Sequence, residues 1–401
     1  RKQRDFDWSK YAKRRIALKV AYFGWDYFGF ATQGDNDQLQ TVEAKLFQSL
    51  QKCRLIENPS QCRYTRCGRT DRGVSGLGQV VALDIRSESD ETVALNAREL
   101  PYIRMLNRDL PADIRVVAWA PVPLDFNARF DCIWRHYKYY FSDDGYPPLQ
   151  VDRMREAACK FLGPHDFRYF CKIDPAKEIT NFERTVLEID ITPVEDPAGG
   201  LPHRDLNHLN RLPRFYQLDL RGSAFLWHQV RCMVGILLLV GQGLEAPSVV
   251  DQLLTVDPNQ GKPAYPMASE MPLILYDSYY QPRLTWRYDS ERSFQPLRLT
   301  HQRLTEMWTE HSIKALTARA GLEQLNRLPV PQPQSNLRFG DASTQQLASL
   351  GVHLVTLVSS GGGQLVPNRK YVPLLERARQ SSVDVTNERY QAKKRRKLMQ
   401  E

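Results

Sequence analysis

Between Arg14 and Gly24 the apolar residues Ile16, Leu18, Val20 and Tyr22 occupy every second position, which predicts a half-buried strand ending at Gly24. The period changes in "QTVEAKLFQSLQKC", where Val42, Leu46 and Leu50 share one helical face and Thr41 stands at the N-cap. Alternation returns at Val81, Leu83 and Ile85, and further strands are predicted around 116–123 and 134–142 before a linker, "DDGYPP", at 143–148. A second run repeats the scheme. "VDRMREAACKFLG" reads as a helix, "FERTVLEIDITPV" and "FYQLDLRG" as strands, "FLWHQVRCMVGILLLVGQG" as a long buried helix stopped by glycine, and "PLILYDSYY" as a closing strand near residue 280. The polar stretch at 195–214, rich in Pro and Gly, reads as a surface insertion. After residue 281 a helix is predicted over "LTHQRLTEMWTEHSIKALTARAGLEQL", "PVPQPQ" breaks it, and "SSGGGQ" forms a flexible turn whose amides could hold an anion. The basic cluster "KKRRK" at 393–397 reads first as a solvated tail, ahead of a nuclear-import signal or an RNA-contacting arm.

Composition narrows the class. With 401 residues, 42% of them hydrophobic, the chain can bury the cores of two or three globular domains. Its 55 Lys and Arg against 46 Asp and Glu give a formal charge of +9, which favours phosphate-rich partners without proving one. The seven cysteines are scattered and contain no CxxC pair, so free thiols in a reducing compartment are expected and a zinc site is not. "MVGILLLV" at 233–240 falls far short of the ~20 residues that span a bilayer, and the charged opening "RKQRDFDWSKYAKRR" has no apolar core of a signal peptide. "HRDLNHLN" at 203–210 matches a kinase catalytic-loop pattern, but the glycine-rich loop, the lysine strand and D-F-G are missing, and phosphoryl transfer cannot be organised without them.

One stretch, "RCGRTDRGVSGLGQVVALDIR" at 66–86, sets a single aspartate, Asp71, between Arg69 and Arg72 on a glycine-rich loop that enters a strand. An ordinary turn would use the carboxylate to cap an amide. Here the guanidiniums keep it ionised and bring phosphate-binding groups close to a potential nucleophile, while the glycines let backbone approach a bulky ligand.

These residues resemble the G-R-T-D-x-G-V signature of the TruA type of tRNA pseudouridine synthase. "AYFGWDYFGFATQ", "DFNARFDCIWRHYKYYF" and "AFLWHQVRCMVG" are similar to three further blocks of that family, in family order across about residues 14–281. The wording of the Asp71 loop, the "YFGWDYFGFATQ" turn and "HSIKALTARAGLEQL" are similar to the eukaryotic branch called pseudouridine synthase three, which modifies positions 38 and 39 in the anticodon arm of tRNA. Arg72 stands where lysine is common, and the 195–214 insertion has no bacterial counterpart.

The resemblance implies an α+β fold: two subdomains, 14–142 and 149–281, sharing a mostly antiparallel sheet across a central RNA-binding catalytic cleft, with a C-terminal extension over 282–401. It implies a homodimer that binds tRNA and needs neither metal nor cofactor, found in nucleus and cytoplasm. Asp71 matches the catalytic carboxylate, acting as nucleophile at C1′ or base at C2′ of the uridine. Tyr137 matches the aromatic that stacks on the target base, Arg69 the arginine that fills the space of the flipped nucleotide, and Arg231 the basic residue that pairs with the aspartate. Arg66, Arg72 and Arg135 are further candidates for RNA contact. A wider-specificity synthase of the same family, acting on other tRNA or mRNA uridines, and a non-catalytic RNA-binding relative are the competing readings.

Overall fold

The alternation at 16–22 becomes strand β1 (Ala12–Tyr22) in a computed structural model of the protein, which describes residues 6–32, 39–88, 99–144, 148–177, 179–194, 213–288, 295–328, 357–367 and 370–399. Most of the 195–214 insertion, the kinase-like match within it, "PVPQPQ" and part of the 143–148 linker lie outside the described residues. Thr41 caps helix α1 (Val42–Lys52) as expected, its hydroxyl accepting from the Ala44 amide at 3.2 Å. Val42, Leu46 and Leu50 are fully buried.

The chain divides into two compact units, Arg1–Lys138 with Glu270–Thr305, and Tyr139–Ser269 with Glu306–Glu401. In the first, β1 lies between β3 (Ser75–Ser87) and β4 (Ile114–Pro121), antiparallel to both, and the short β2 (Thr65–Arg66) adds to β3. Helix α1 and helix α2 (Tyr102–Asp109) cover one face, over Ile16, Leu18, Val20, Val81, Leu83 and Ile85. The opposite face is buried too, by Ala17, Val80 and Ala82 packed with Phe126, Ala128 and Tyr280. The strands are therefore covered on both sides, where alternation alone predicts one, because alanine and valine leave room for a second layer.

Strand β5 (Cys132–Ser142) starts in the first unit and ends in the second. The second unit then holds helix α3 (Val151–Cys159), the antiparallel strands β6 (Gly163–Asp166), β7 (Glu183–Val194) and β8 (Phe215–Gly222), and helices α4 (Gln229–Gly241) and α5 (Val249–Leu254). Every residue of α4 except Arg231 is buried, as an all-round apolar helix must be. No helix among the described residues is long and apolar enough to cross a membrane.

Strand β9 (Leu273–Tyr280), expected to close the second domain, runs parallel to β3 through the pairs Ser75–Ile274 and Gly76–Leu275 and belongs with the first. Helix α6 (Gln295–Asn326) follows, with Leu299, Trp308 and Ile313 exposed. "SSGGGQ" is the turn of a hairpin, β10 (Leu357–Ser359) and β11 (Leu365–Pro367), with its Ser359 and Ser360 carbonyls taken by Gln242 Nε2 at 3.2 Å and the Ser269 amide at 2.9 Å. Farther on, the Glu245 carboxylate accepts from the Tyr371 hydroxyl at 2.5 Å and the Leu374 amide at 2.6 Å, and Leu374 is fully buried. The extension next pairs with residues 262–264 through Ala264 N–H to Ala378 O at 3.0 Å and Gln380 N–H to Lys262 O at 2.9 Å. Helix α7 (Val383–Leu398) ends the chain, capped by Ser382, with the basic cluster exposed on its last turns.

Candidate active site

Asp71 sits half-buried on the loop that leads into β3, and the loop is fixed mainly through its backbone. Gln79, fully buried, bonds both polar groups of Gly68: its Nε2 donates to the carbonyl at 2.9 Å and its Oε1 accepts from the amide at 3.3 Å. The Thr70 hydroxyl and the Tyr22 phenol share a 2.8 Å hydrogen bond, and the Thr70 carbonyl accepts from the Phe30 amide at 3.2 Å. Gly73 N–H donates to Tyr27 O, and Val74 N–H to Asp71 O, both at 3.2 Å. Loop 23–32 thus lies directly against loop 68–75, backbone to backbone. At Gly24 a β-carbon would stand 2.0 Å from Val74 O, and at Gly29, with φ +92°, a β-carbon would be 2.9 Å from Thr70 O. Such repeated tie points at the ends of paired strands hold a carboxylate in one place.

The structure brings Asp71 and Tyr137 into electrostatic reach in the first unit. Tyr137 is half-buried on β5, and desolvation first, then Cys67 and Asp71, push its phenol well above the ordinary tyrosine value. Tyr137 is thereby a neutral ring at working pH, suited to presenting a face to a base and unsuited to acting as a phenolate base.

The arginines separate into two groups. Arg69 and Arg72 are exposed; partial desolvation and then repulsion from Arg66 and Arg129 lower the Arg69 pKa, and the Arg72 guanidinium lies 4.5 Å from the Phe28 ring centre. The other two are engaged internally. Arg66 pairs with the buried Glu43, whose carboxylate also accepts from Thr32 N–H at 2.9 Å and its hydroxyl at 3.0 Å. Arg135, 9% exposed, donates to the carbonyls of Cys132 and Cys67, each at 3.2 Å, and of Arg129 at 2.7 Å. Its position is that of a clamp joining three chain segments.

Arg231 lies in the second unit, half-buried on α4, with Nε donating to Ala268 O at 2.8 Å while its own carbonyl accepts from Ala268 N–H at 3.1 Å. A cavity of about 620 Å³ in that unit lies between α4 and the extension, lined by Leu238, Pro266, Met267 and Val372, and contains none of the expected site residues. Among the described residues no three His, Cys, Asp or Glu side chains converge as metal ligands. The seven cysteines are free thiols; Cys67 and Cys132 stand 3.5 Å apart, sulfur to sulfur.

Gln79, Tyr22, Glu43 and Arg129 belong to this constellation and were not singled out from the sequence. A glutamine inside "GLGQVV" is the one available signal, since an amide in an apolar strand needs a buried partner.

His228, the N-cap of α4, has φ +63°, and burial, then Arg231, Lys172 and Lys262, push its pKa down to about 4. The unfolded imidazole titrates near 6.5, so between about pH 6.5 and 4 the unfolded chain binds more protons and the fold loses stability as pH falls. His228→Asn, which tolerates the left-handed backbone, removes this term. The stability difference between wild type and variant is expected to shrink in favour of the variant by about 1–2 kcal/mol across that window, the linkage being trimmed by solvent at a partly exposed ring. Urea unfolding at a series of pH values measures it, and a constant difference would refute it.

The family described as tRNA pseudouridine synthase matches residues 157–281. The chain is 41% identical over 341 residues to "tRNA pseudouridine(38/39) synthase" of Homo sapiens, covering 82% of this chain and 67% of the relative. It is 37% identical over 403 residues to the protein of the same name from Saccharomyces cerevisiae, covering 98% and 81%. With "tRNA pseudouridine synthase A" of Methanosarcina mazei the identity is 34% over 244 residues, covering 61% and 77%. Identity at this level over nearly the whole length, on a chain whose glycine-rich loop holds a fixed carboxylate beside a neutral tyrosine, places it in a family: it belongs to the TruA type of tRNA pseudouridine synthase.

Proposed function

We propose that the protein isomerises uridine to pseudouridine at positions 38 and 39 in the anticodon arm of tRNA, with Asp71 as the reacting carboxylate. The observation that carries the reading is the 37–41% identity, over most of the chain, to relatives named for those two positions. In this reaction the bond between N1 of uracil and C1′ breaks, the base turns, C5 bonds to C1′, and the C5 proton is lost as N1 gains one. The atoms balance without an external reactant. The enzyme has to stabilise an electron-poor sugar and hold a detached base, and a carboxylate on a fixed loop can do the first by adding to C1′ or by taking a proton at C2′. Tyr137 supplies a ring face for the uracil, a contact worth ~1–3 kcal/mol per base. Arg69 and Arg72, both exposed beside Asp71, are the guanidiniums available to phosphates and to the space of a flipped nucleotide.

Arg135 serves in this reading by positioning the loop and Arg66 by closing the Glu43 pair. A homodimer, and work in both nucleus and cytoplasm, follow from the same branch and form part of the proposal. Pseudouridine mapping of tRNA after incubation with the purified protein is the test. Signal confined to positions 38 and 39 is expected. Equal signal at other uridines would favour the wider-specificity reading, and tRNA binding without product the non-catalytic one.

A further inference from the structure

Phe130 is 77% exposed, more than any other Phe, Tyr or Trp among the described residues. It stands on a turn that is anything but loose. Asn127 Oδ1 accepts from the amides of Arg129 at 3.0 Å and Phe130 at 3.3 Å, and the Asp131 carboxylate accepts from Asn127 N–H at 2.8 Å. Below the turn three carbonyls take donors from buried side chains: Phe126 O takes Arg15 Nε at 2.9 Å and Nη2 at 2.7 Å, Ala128 O takes the Tyr280 hydroxyl at 2.7 Å, and Arg129 O takes Arg135 Nη2 at 2.7 Å. The same Arg135 nitrogen donates to Cys67 O at 3.2 Å, one residue before the loop that carries Asp71. Five side chains, those of Asn127, Asp131, Arg15, Tyr280 and Arg135, thus hold in solvent a ring that forgoes the gain from burial, and one of them, Arg135, also reaches the chain just before the Asp71 loop. An exposed aromatic on a rigid support is the form of a contact waiting for a partner.

The charge around it identifies the partner. The Arg129 guanidinium lies 5.5 Å from the Phe130 ring centre, and Arg129 and Arg66 both repel Arg69. A second copy of this chain would bring the same cations to the contact, whereas a nucleic acid brings phosphates and an unstacked base with a free face. We propose that Phe130 stacks on an unpaired nucleobase of the bound RNA next to the reacting uridine, with Arg129 and Arg69 on the adjoining phosphates. This rests on the tRNA-modifying reading above and adds a base-stacking residue to it.

The experiment uses the full chain and an anticodon-arm RNA hairpin carrying 2-aminopurine at one nucleotide flanking the target uridine at a time. Wild type is expected to quench the probe at one flanking position, and Phe130→Leu to abolish that quench and raise Kd about tenfold. Phe130→Tyr should restore both. Phe130→Leu with unchanged quenching at every position would overturn the assignment, as would a halved mass by light scattering, which would give the ring to a second copy instead. A wild type that forms no pseudouridine, yet loses its quench in Phe130→Leu, would overturn the enzymatic reading while supporting this contact.

Discussion

Asp71→Asn is expected to bind tRNA within about twofold of wild type and to form pseudouridine at least about a thousandfold more slowly. The substitution keeps the size of the side chain and removes only the charge and the nucleophilic oxygen. What fixes the loop is untouched: the Asp71 carbonyl still accepts from Val74 N–H, Thr70 still bonds Tyr22, and Gln79 still holds both polar groups of Gly68. Neither addition at C1′ nor proton removal at C2′ can proceed through a neutral amide. Single-turnover assays with saturating enzyme separate the chemical step from binding. Turnover within tenfold of wild type would remove Asp71 from the reaction.

A second large effect is expected one loop away, at a residue with no functional group. Gly24→Ala places a methyl group 2.0 Å from the Val74 carbonyl oxygen, a backbone atom that cannot rotate aside. The 23–32 and 68–75 loops then have to separate, at a cost of about 1–3 kcal/mol in stability. Because the Asp71 loop is located by that contact, turnover should fall by about a hundredfold or more. Gly68→Ala is the internal control: a β-carbon there meets nothing within 4 Å, although the residue is three positions from Asp71. Its effect on melting temperature and on turnover should be small. Equal losses in the two variants would show that the motif's glycines matter for something other than close approach.

Much of this was legible in the sequence. The α1 face and its Thr41 cap, the strand behind Asp71 and the apolar α4 helix all follow from local rules, in which one residue's neighbours determine its conformation. The Asp71 loop was legible because its chemistry and its glycines are contiguous. What escaped is non-local. The pairing of β9 with β3 joins residues about two hundred positions apart, and no periodicity encodes a partner strand. The fates of Arg66, Arg69 and Arg135 were equally hidden: three guanidiniums in similar polar stretches become an ion pair, an exposed cation and a backbone clamp. The difference is set by carbonyls and a carboxylate delivered from elsewhere in the chain. Phe130 stands inside a family-like block of the sequence, where nothing shows that the tertiary structure leaves it in solvent.

The extension has a bearing on how this chain can be divided. The extension from residue 370 to 382 looks like an appendage to a two-part enzyme, yet Leu374 is fully buried, one Glu245 carboxylate oxygen accepts two hydrogen bonds from that side, and Gly261 lies so close to Gln380 that a β-carbon would stand 1.8 Å from its carbonyl oxygen. A shortened version cut near residue 281 would strip partners from the interior of the second unit. The natural place to shorten, tag or graft is Ser382, where the capping hydroxyl of α7 begins a helix whose basic residues point outward. Shortening, tagging or fusing this chain is therefore constrained by a folding boundary about a hundred residues beyond the last of the four family blocks, which ends near residue 281.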